Sequence, residues 1–123
     1  MEFGANQAIY LQIVEYMCDN ILSGKWPEGE RIPAIREIAV NLEVNPNTVM
    51  RSYAYLQEKE IIYNQRGIGY FVTKGGLTAT RQIKREDFIR NTLPRVFRTM
   101  DLLAVDFTEL QNFYNQFKTK GSL

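Results

Sequence analysis

Three stretches in the first half of the chain place apolar residues at helical spacing. Residues 8–22 form the longest stretch, and its apolar face comprises Tyr10, Ile13, Val14, Met17 and Ile21. Gly24 is expected to end this helix, because glycine accepts the left-handed conformation that follows a helix C-terminus. A second, shorter helix is predicted after Pro33, with the apolar residues Ile35, Ile38, Ala39 and Leu42. The third is predicted to extend over residues 46–59.

The break between the second and third helices is the most informative local signal. Asn45 has a side-chain oxygen that can cap a helix by accepting a backbone N–H bond. Pro46 follows at the first helical position, where its missing N–H costs nothing. Two short helices therefore meet through a tight turn, which is the helix-turn-helix arrangement.

A β-hairpin is predicted after the third helix. Residues 61–63 and 70–73 are β-branched and aromatic runs, and the segment between them has two glycines to turn the chain and Arg66 near its tip. The glycine pair at residues 75–76 indicates a linker. Three helices followed by a hairpin predict a winged helix-turn-helix DNA-binding domain over residues 1–74.

Residues 75–123 are predicted to form the linker and a two-helix tail. A helix is expected over residues 84–103, with a kink or break at Pro94. Asp106 followed by Glu109 resembles a capping box that opens a last helix. The fold class is therefore mainly α with a small β-hairpin wing, a winged helix-turn-helix domain plus a two-helix C-terminal dimerisation arm.

The tail carries more apolar surface than two short helices can bury. The residues expected to form an interface are Phe88, Val96, Phe97, Met100, Leu103, Leu110, Phe113 and Phe117. Left exposed, they would make an unusually large apolar patch. We therefore expect the tail to pair two copies of the chain as a homodimer. The alternative is that the tail packs back onto its own first helix.

The composition argues against several classes of protein. The chain has 123 residues, of which 45% are hydrophobic and 24% charged, as in ordinary globular proteins. It has no histidine, and Cys18 is its only cysteine, so we expect no disulfide, no metal site, no cofactor and no enzymatic activity. Its apolar runs are too short to cross a membrane and its N-terminus lacks a secretory pattern. We expect a cytoplasmic protein with no membrane partner.

The net charge of the chain is unusually low for a DNA-binding protein. The net charge of the chain is only +1, and residues 1–74 contain seven basic and nine acidic residues. DNA-binding proteins often carry a basic excess. Any affinity for DNA must therefore come from where the charges lie. A winged helix that serves as a protein-interaction module, without a specific DNA site, is the alternative function that this balance favours.

Hydrogen-bond donors nevertheless cluster where a winged helix contacts DNA. In such folds the third helix enters the major groove. Asn47 and Arg51 fall roughly opposite the core-facing Val49, and these side-chain types bind the edges of adenine and guanine respectively. Asn47 and Thr48 also lie in the first turn, where free backbone N–H groups attract a phosphate.

Two further arginines suit the neighbouring surfaces. Arg36 precedes the turn and can reach the same groove, and Arg66 at the hairpin tip suits a narrow, negative minor groove. Each arginine also has a plain alternative as a solvated surface residue. Asn45 is first of all a structural cap. A small-molecule effector is possible, but no residue identifies one.

The sequence resembles the GntR family of bacterial regulators in three separated segments. They read GERIPAIREIA over residues 29–39, VNPNTV over residues 44–49 and QRGIGYFV over residues 65–72. The short tail and the Asn-Pro-Asn-Thr-Val string resemble the YtrA-type subgroup in particular. The resemblance implies a small dimeric repressor, often of transporter genes, that binds an operator in double-stranded DNA. The DNA-reading residues that it implies are Arg36, Asn45, Asn47, Thr48 and the wing glycine Gly67.

Four positions depart from the family pattern. Many relatives have arginine where this chain has Pro46 and Met50, so their operator contacts do not carry over to those two positions. Ala34 replaces the usual capping serine, which should weaken the start of the second helix. Glu43 replaces the glycine common in the turn, so we expect that turn to be built differently.

Overall fold

A computed structural model describes residues 7–123 and contains six α-helices and one β-hairpin within them. In chain order the elements are α1 (Ile9–Leu22), α2 (Ile35–Leu42), α3 (Pro46–Glu58), β1 (Ile62–Gln65), β2 (Gly69–Val72), α4 (Gly76–Asp87), α5 (Leu93–Leu103) and α6 (Phe107–Lys120). A π-helical turn, Phe88–Thr92, separates α4 from α5. The mainly α fold with a hairpin wing is confirmed. The chain divides into two compact units, residues 1–83 and 84–123.

The first unit has one hydrophobic core, to which α1, α2, α3 and the hairpin all contribute. Its completely buried side chains include Ile13, Met17, Ile38, Val49, Tyr53, Leu56, Ile61 and Val72. The hydroxyl of Ser52 joins α3 to α1, because it donates to the carbonyl oxygen of Tyr10 over 2.7 Å. The Tyr53 hydroxyl donates to the backbone carbonyl of Pro33. Burial raises the pKa of Tyr53 well above its usual value, and the neighbouring Tyr70 adds to this effect.

The turn between α2 and α3 places the third helix. Glu43 adopts the left-handed conformation, with φ 56° and ψ 49°, at the C-terminus of α2. The side-chain oxygen of Asn45 accepts from the Asn47 N–H over 2.8 Å, and Pro46 opens the helix, as the sequence predicts. Ala34 has no side-chain acceptor, and the Glu37 carboxylate alone caps this end of α2, accepting from the Ala34 N–H over 3.3 Å.

The wing is an antiparallel hairpin whose register runs from Ile62 opposite Val72 to Gln65 opposite Gly69. Three residues, 66–68, form its loop, and the left-handed φ of +80° at Gly67 closes it. An isolated bridge from Arg31 to Phe71 adds a third short segment to the hairpin.

The glycine pair at residues 75–76 is not an extended linker, which corrects the sequence prediction. Gly76 opens α4, so this helix begins eight residues before the predicted start at Lys84. A Cβ on Gly76 would lie 2.8 Å from the carbonyl oxygen of Ile61. Gly76 therefore serves close packing rather than flexibility. Thr80, one turn later, is buried and donates to the Gly76 carbonyl over 2.7 Å.

The second unit consists of the end of α4, the π-helical turn, α5 and α6. The irregularity expected at Pro94 takes the form of this π-helical turn, and Pro94 itself lies in the first turn of α5, where no N–H is needed. Asp106 caps α6 by accepting from the Glu109 N–H over 2.8 Å. Within the described segment Phe88–Lys120, no side chain is buried.

Candidate nucleic-acid interface

The outward face of α3 presents the donors that the sequence places there. Val49, Ser52, Tyr53 and Leu56 are buried and fix which side of the helix faces the core. Asn47 and Arg51 lie on the opposite side and are exposed, and Thr48 at its margin is half-buried. The Asn45 side-chain oxygen is engaged in the cap, so its first role is to place the start of α3.

Arg51 does not extend freely into solvent. Its guanidinium carbon lies 3.8 Å from the centre of the Tyr10 ring, a cation–π contact between α3 and α1. A shallow hollow of about 330 Å³ between the two helices is lined by Ala8, Ile9, Tyr10, Asn47, Thr48 and Arg51. The structure thus brings three of the predicted residues, Asn47, Thr48 and Arg51, to one site. Tyr10 restricts the direction in which Arg51 can donate.

Tyr10 is a candidate site residue that the sequence analysis assigned to the apolar face of α1. Its ring is only half-buried and covers one face of the arginine. No local signal distinguishes it from a core tyrosine. Its role depends on the packing of α1 against α3. Residues more than forty positions apart make this contact, for example Ser52 with the Tyr10 carbonyl.

The remaining predicted residues lie on other elements, outside this hollow. Arg36 is exposed in the first turn of α2, and Arg66 and Gly67 are exposed at the tip of the wing. Arg31, which the sequence analysis did not select, is also exposed beside the wing, and its side-chain Nε lies 2.8 Å from where a Cβ on Gly69 would be. Glycine at position 69 therefore leaves room for this arginine.

The predicted interface residues of the tail are at least partly exposed. Leu103 is 69% exposed and Phe97 51%, and the other six lie between exposed and half-buried. An apolar groove of about 530 Å³ brings five of them together: Phe88, Val96, Leu110, Phe113 and Phe117. Met100 and Leu103 line a second hollow of about 310 Å³ that also includes Val96. Phe97 lines neither.

Residues 7–123 also show two absences. No group of three or more histidine, cysteine, aspartate or glutamate side chains in that part of the chain could hold a metal ion. None of its helices is long and apolar enough to cross a membrane.

A helix-turn-helix with an exposed donor face on its second helix, followed by a β-wing, is the winged-helix arrangement. The chain belongs to the GntR family: the model of "Bacterial regulatory proteins, gntR family" matches residues 9–72. The resemblance inferred from the three sequence segments is thereby confirmed. The members of this family are described as bacterial regulatory proteins.

Individual relatives agree with this assignment. The chain is 36% identical over 70 residues to the HTH-type transcriptional repressor YtrA of Bacillus subtilis, a match that covers 57% of this chain and 54% of that protein. It is 32% identical over 73 residues to the uncharacterised regulator YhcF of the same species, covering 59% and 60% respectively. The match therefore spans less than two thirds of the length of either relative.

A solved structure extends the similarity into the tail. A regulator of the GntR family from Bacteroides thetaiotaomicron superimposes with a TM-score of 0.77 at 43% identity. The match covers 94% of this chain and all of that one. The fold similarity therefore includes residues beyond the winged helix.

Proposed function

We propose that this chain is a sequence-specific DNA-binding transcription regulator that binds a palindromic operator as a homodimer. The observation that carries the proposal is the outward face of α3, where Asn47 and Arg51 stand exposed on a helix placed by the Asn45 cap. Residues 1–74 would read the DNA, and residues 75–123 would pair two copies.

Each predicted residue has a role in this proposal. Arg36 and Arg51 donate to guanine edges and Asn47 to an adenine edge in the major groove. The Thr48 hydroxyl contacts the phosphate backbone. The backbone N–H groups of Asn47 and Thr48 do not take part as the sequence predicts, because both donate to Asn45. Arg66 enters the adjacent minor groove, where Gly67 lets the wing backbone approach closely.

The low net charge of residues 1–74 is compatible with this proposal. All four arginines of that segment, residues 31, 36, 51 and 66, lie on α2, on α3 or beside the wing. Specific reading depends on a few well-placed donors, whereas non-specific affinity depends on the number of phosphates neutralised. We therefore expect weak non-specific binding and a comparatively high ratio of specific to non-specific affinity.

The tail supports the homodimer. Its helices leave phenylalanine and leucine side chains exposed, and such a patch is typical of an interface. A twofold axis would place two α3 helices at matched half-sites about one DNA turn apart. Repression is proposed because the relative YtrA is named as a repressor. We also propose that the regulated genes encode transporters and that an effector binds near the apolar tail. A chain that binds chromosomal DNA would act in the cytoplasm.

The test of DNA reading is the affinity of three variants for the duplex that the wild-type chain prefers. Arg36→Ala and Arg51→Ala should each weaken specific binding by about 1–3 kcal/mol, if each contacts a base edge. Lys59→Ala is the matched control, because it removes a cation at the C-terminal end of α3, about 12 Å along the helix axis from Arg51. Equal affinity of all three variants would refute these contacts. A folded protein that binds partner proteins but no preferred duplex would favour the interaction-module alternative.

The test of the dimer is sedimentation of the full chain at micromolar concentration. We expect a dimer for the wild type, and a monomer for Phe113→Asp, which places a charge in the apolar groove. Asn115→Asp is the matched control, because it adds the same charge to an exposed position of α6. A wild-type monomer with an intact tail would contradict the proposal.

A further inference from the structure

Met50 occupies an unusual place for an exposed apolar side chain. It is 53% exposed on α3, next in sequence to Arg51 and one helical turn after Asn47. An isolated exposed methionine on a protein surface needs no explanation. This one lies within the face that the proposed function assigns to the floor of the major groove.

The apolar character of this position is not isolated. Pro46, Met50 and Ala54 follow each other at intervals of four residues, so they form one row along the helix, and all three are exposed. Asn47 and Arg51 form the neighbouring row. Because the Arg51 guanidinium stacks on Tyr10 of α1, that side chain is directed away from the apolar row.

The only apolar group that a base pair presents in the major groove is the 5-methyl group of thymine. A row of side chains without donors or acceptors makes no hydrogen bonds to the polar edges of the other bases. It would also displace the water that hydrates those edges, which is unfavourable. We propose that Met50, flanked by Pro46 and Ala54, reads the methyl group of a thymine in each half-site. This inference rests on the proposed function, and it specifies that this face of α3 selects thymine within the operator.

The methionine side chain suits this role. It is unbranched and polarizable, so it can adapt its shape to a methyl group at slightly different positions. Removal of one methyl contact corresponds to about a fourfold loss of affinity, from the free energy of burying one such group. A dimer makes the contact twice, so substitution in both half-sites should multiply the two losses.

The experiment replaces each thymine of the preferred duplex, one position at a time, by deoxyuridine, which differs only by the missing methyl group. The wild-type chain should lose about fourfold in affinity at one or two positions per half-site and remain unchanged at the others. Met50→Ala should bind the thymine and deoxyuridine duplexes equally at those positions. Met50→Leu, which keeps an apolar side chain of similar size, should retain the discrimination.

Val40→Ala is the matched control, because Val40 is 75% exposed on α2, outside the apolar row. It should discriminate as the wild type does. Helix content measured by circular dichroism should be the same for all variants, since both substituted side chains are exposed. Equal wild-type affinity for thymine and deoxyuridine at every position, or unchanged discrimination by Met50→Ala, would overturn this inference alone. A wild-type chain that prefers no duplex at all would overturn the proposed function and this inference with it.

Discussion

Replacing Glu43 with glycine should stabilise the protein, although it removes a side chain. Glu43 holds φ 56° and ψ 49° between α2 and α3. A residue with a Cβ is strained by roughly 1–2 kcal/mol in this region, because the Cβ crowds the following carbonyl oxygen. Glycine has no such strain, but it increases the conformational entropy of the unfolded chain, which lowers the free energy of unfolding by about 0.4–1 kcal/mol. We expect Glu43→Gly to raise the free energy of unfolding by about 0.5–1 kcal/mol.

Glu43→Ala separates the backbone effect from the loss of the carboxylate. A negative charge at the C-terminus of α2 is itself unfavourable, since the helix dipole is negative there. Both variants lose this charge, and only the glycine variant loses the Cβ. The stability of Glu43→Gly should therefore exceed that of Glu43→Ala by the strain contribution, about 0.5–1 kcal/mol.

The assay is thermal unfolding followed by circular dichroism, at one protein concentration because a dimer unfolds in a concentration-dependent way. For a domain of this size the expected difference corresponds to a melting temperature about 2–8 °C higher for the glycine variant than for the alanine variant. Equal melting temperatures of the two variants would refute the claim that the turn stores strain at Glu43.

Three further substitutions test other parts of the structure. Tyr53→Phe leaves the Pro33 carbonyl without its donor and should lower the free energy of unfolding, measured with denaturant, by about 1–3 kcal/mol. Because burial raises the pKa of Tyr53, this tyrosine loses its proton more readily in the unfolded chain than in the folded one. The wild type should therefore lose stability as the pH rises above about 10, and Tyr53→Phe should lose less. Gly76→Ala should destabilise the fold by roughly 1–3 kcal/mol, because the new Cβ would lie 2.8 Å from the Ile61 carbonyl oxygen, and an unchanged melting temperature would contradict that close contact. Tyr10→Leu should weaken specific DNA binding, whereas Tyr10→Phe should preserve it, because Arg51 contacts the aromatic ring and phenylalanine keeps that ring. Equal DNA affinities of the two variants would show that Tyr10 does not belong to the site.

Local sequence signals were sufficient for the elements that carry the proposed site. The Asn45 cap and Pro46 act within one turn of the chain, so residues next to each other define the start of α3. The hairpin is likewise determined by two β-branched and aromatic runs and by the glycines between them. The side of α3 that faces outward follows from its periodicity, because the buried residues lie on one face.

The features that sequence reasoning missed all depend on distant parts of the chain. The glycine at position 76 resembles a linker residue in sequence, yet it lies where the Ile61 backbone approaches closely. The contact of Tyr10 with Arg51 exists only because α1 packs against α3. Arg31 gains its place beside the wing from a bridge to Phe71, forty residues later. None of these contacts has a counterpart in local composition.

The most direct test of the central claim is selection of the 123-residue chain on a random double-stranded DNA library at moderate salt, followed by sequencing. We expect enrichment of an inverted repeat whose half-sites are centred about one helical turn apart, as two α3 helices related by a twofold axis require. Enrichment of no sequence by a folded, dimeric protein would contradict the account of this chain as an operator-binding regulator.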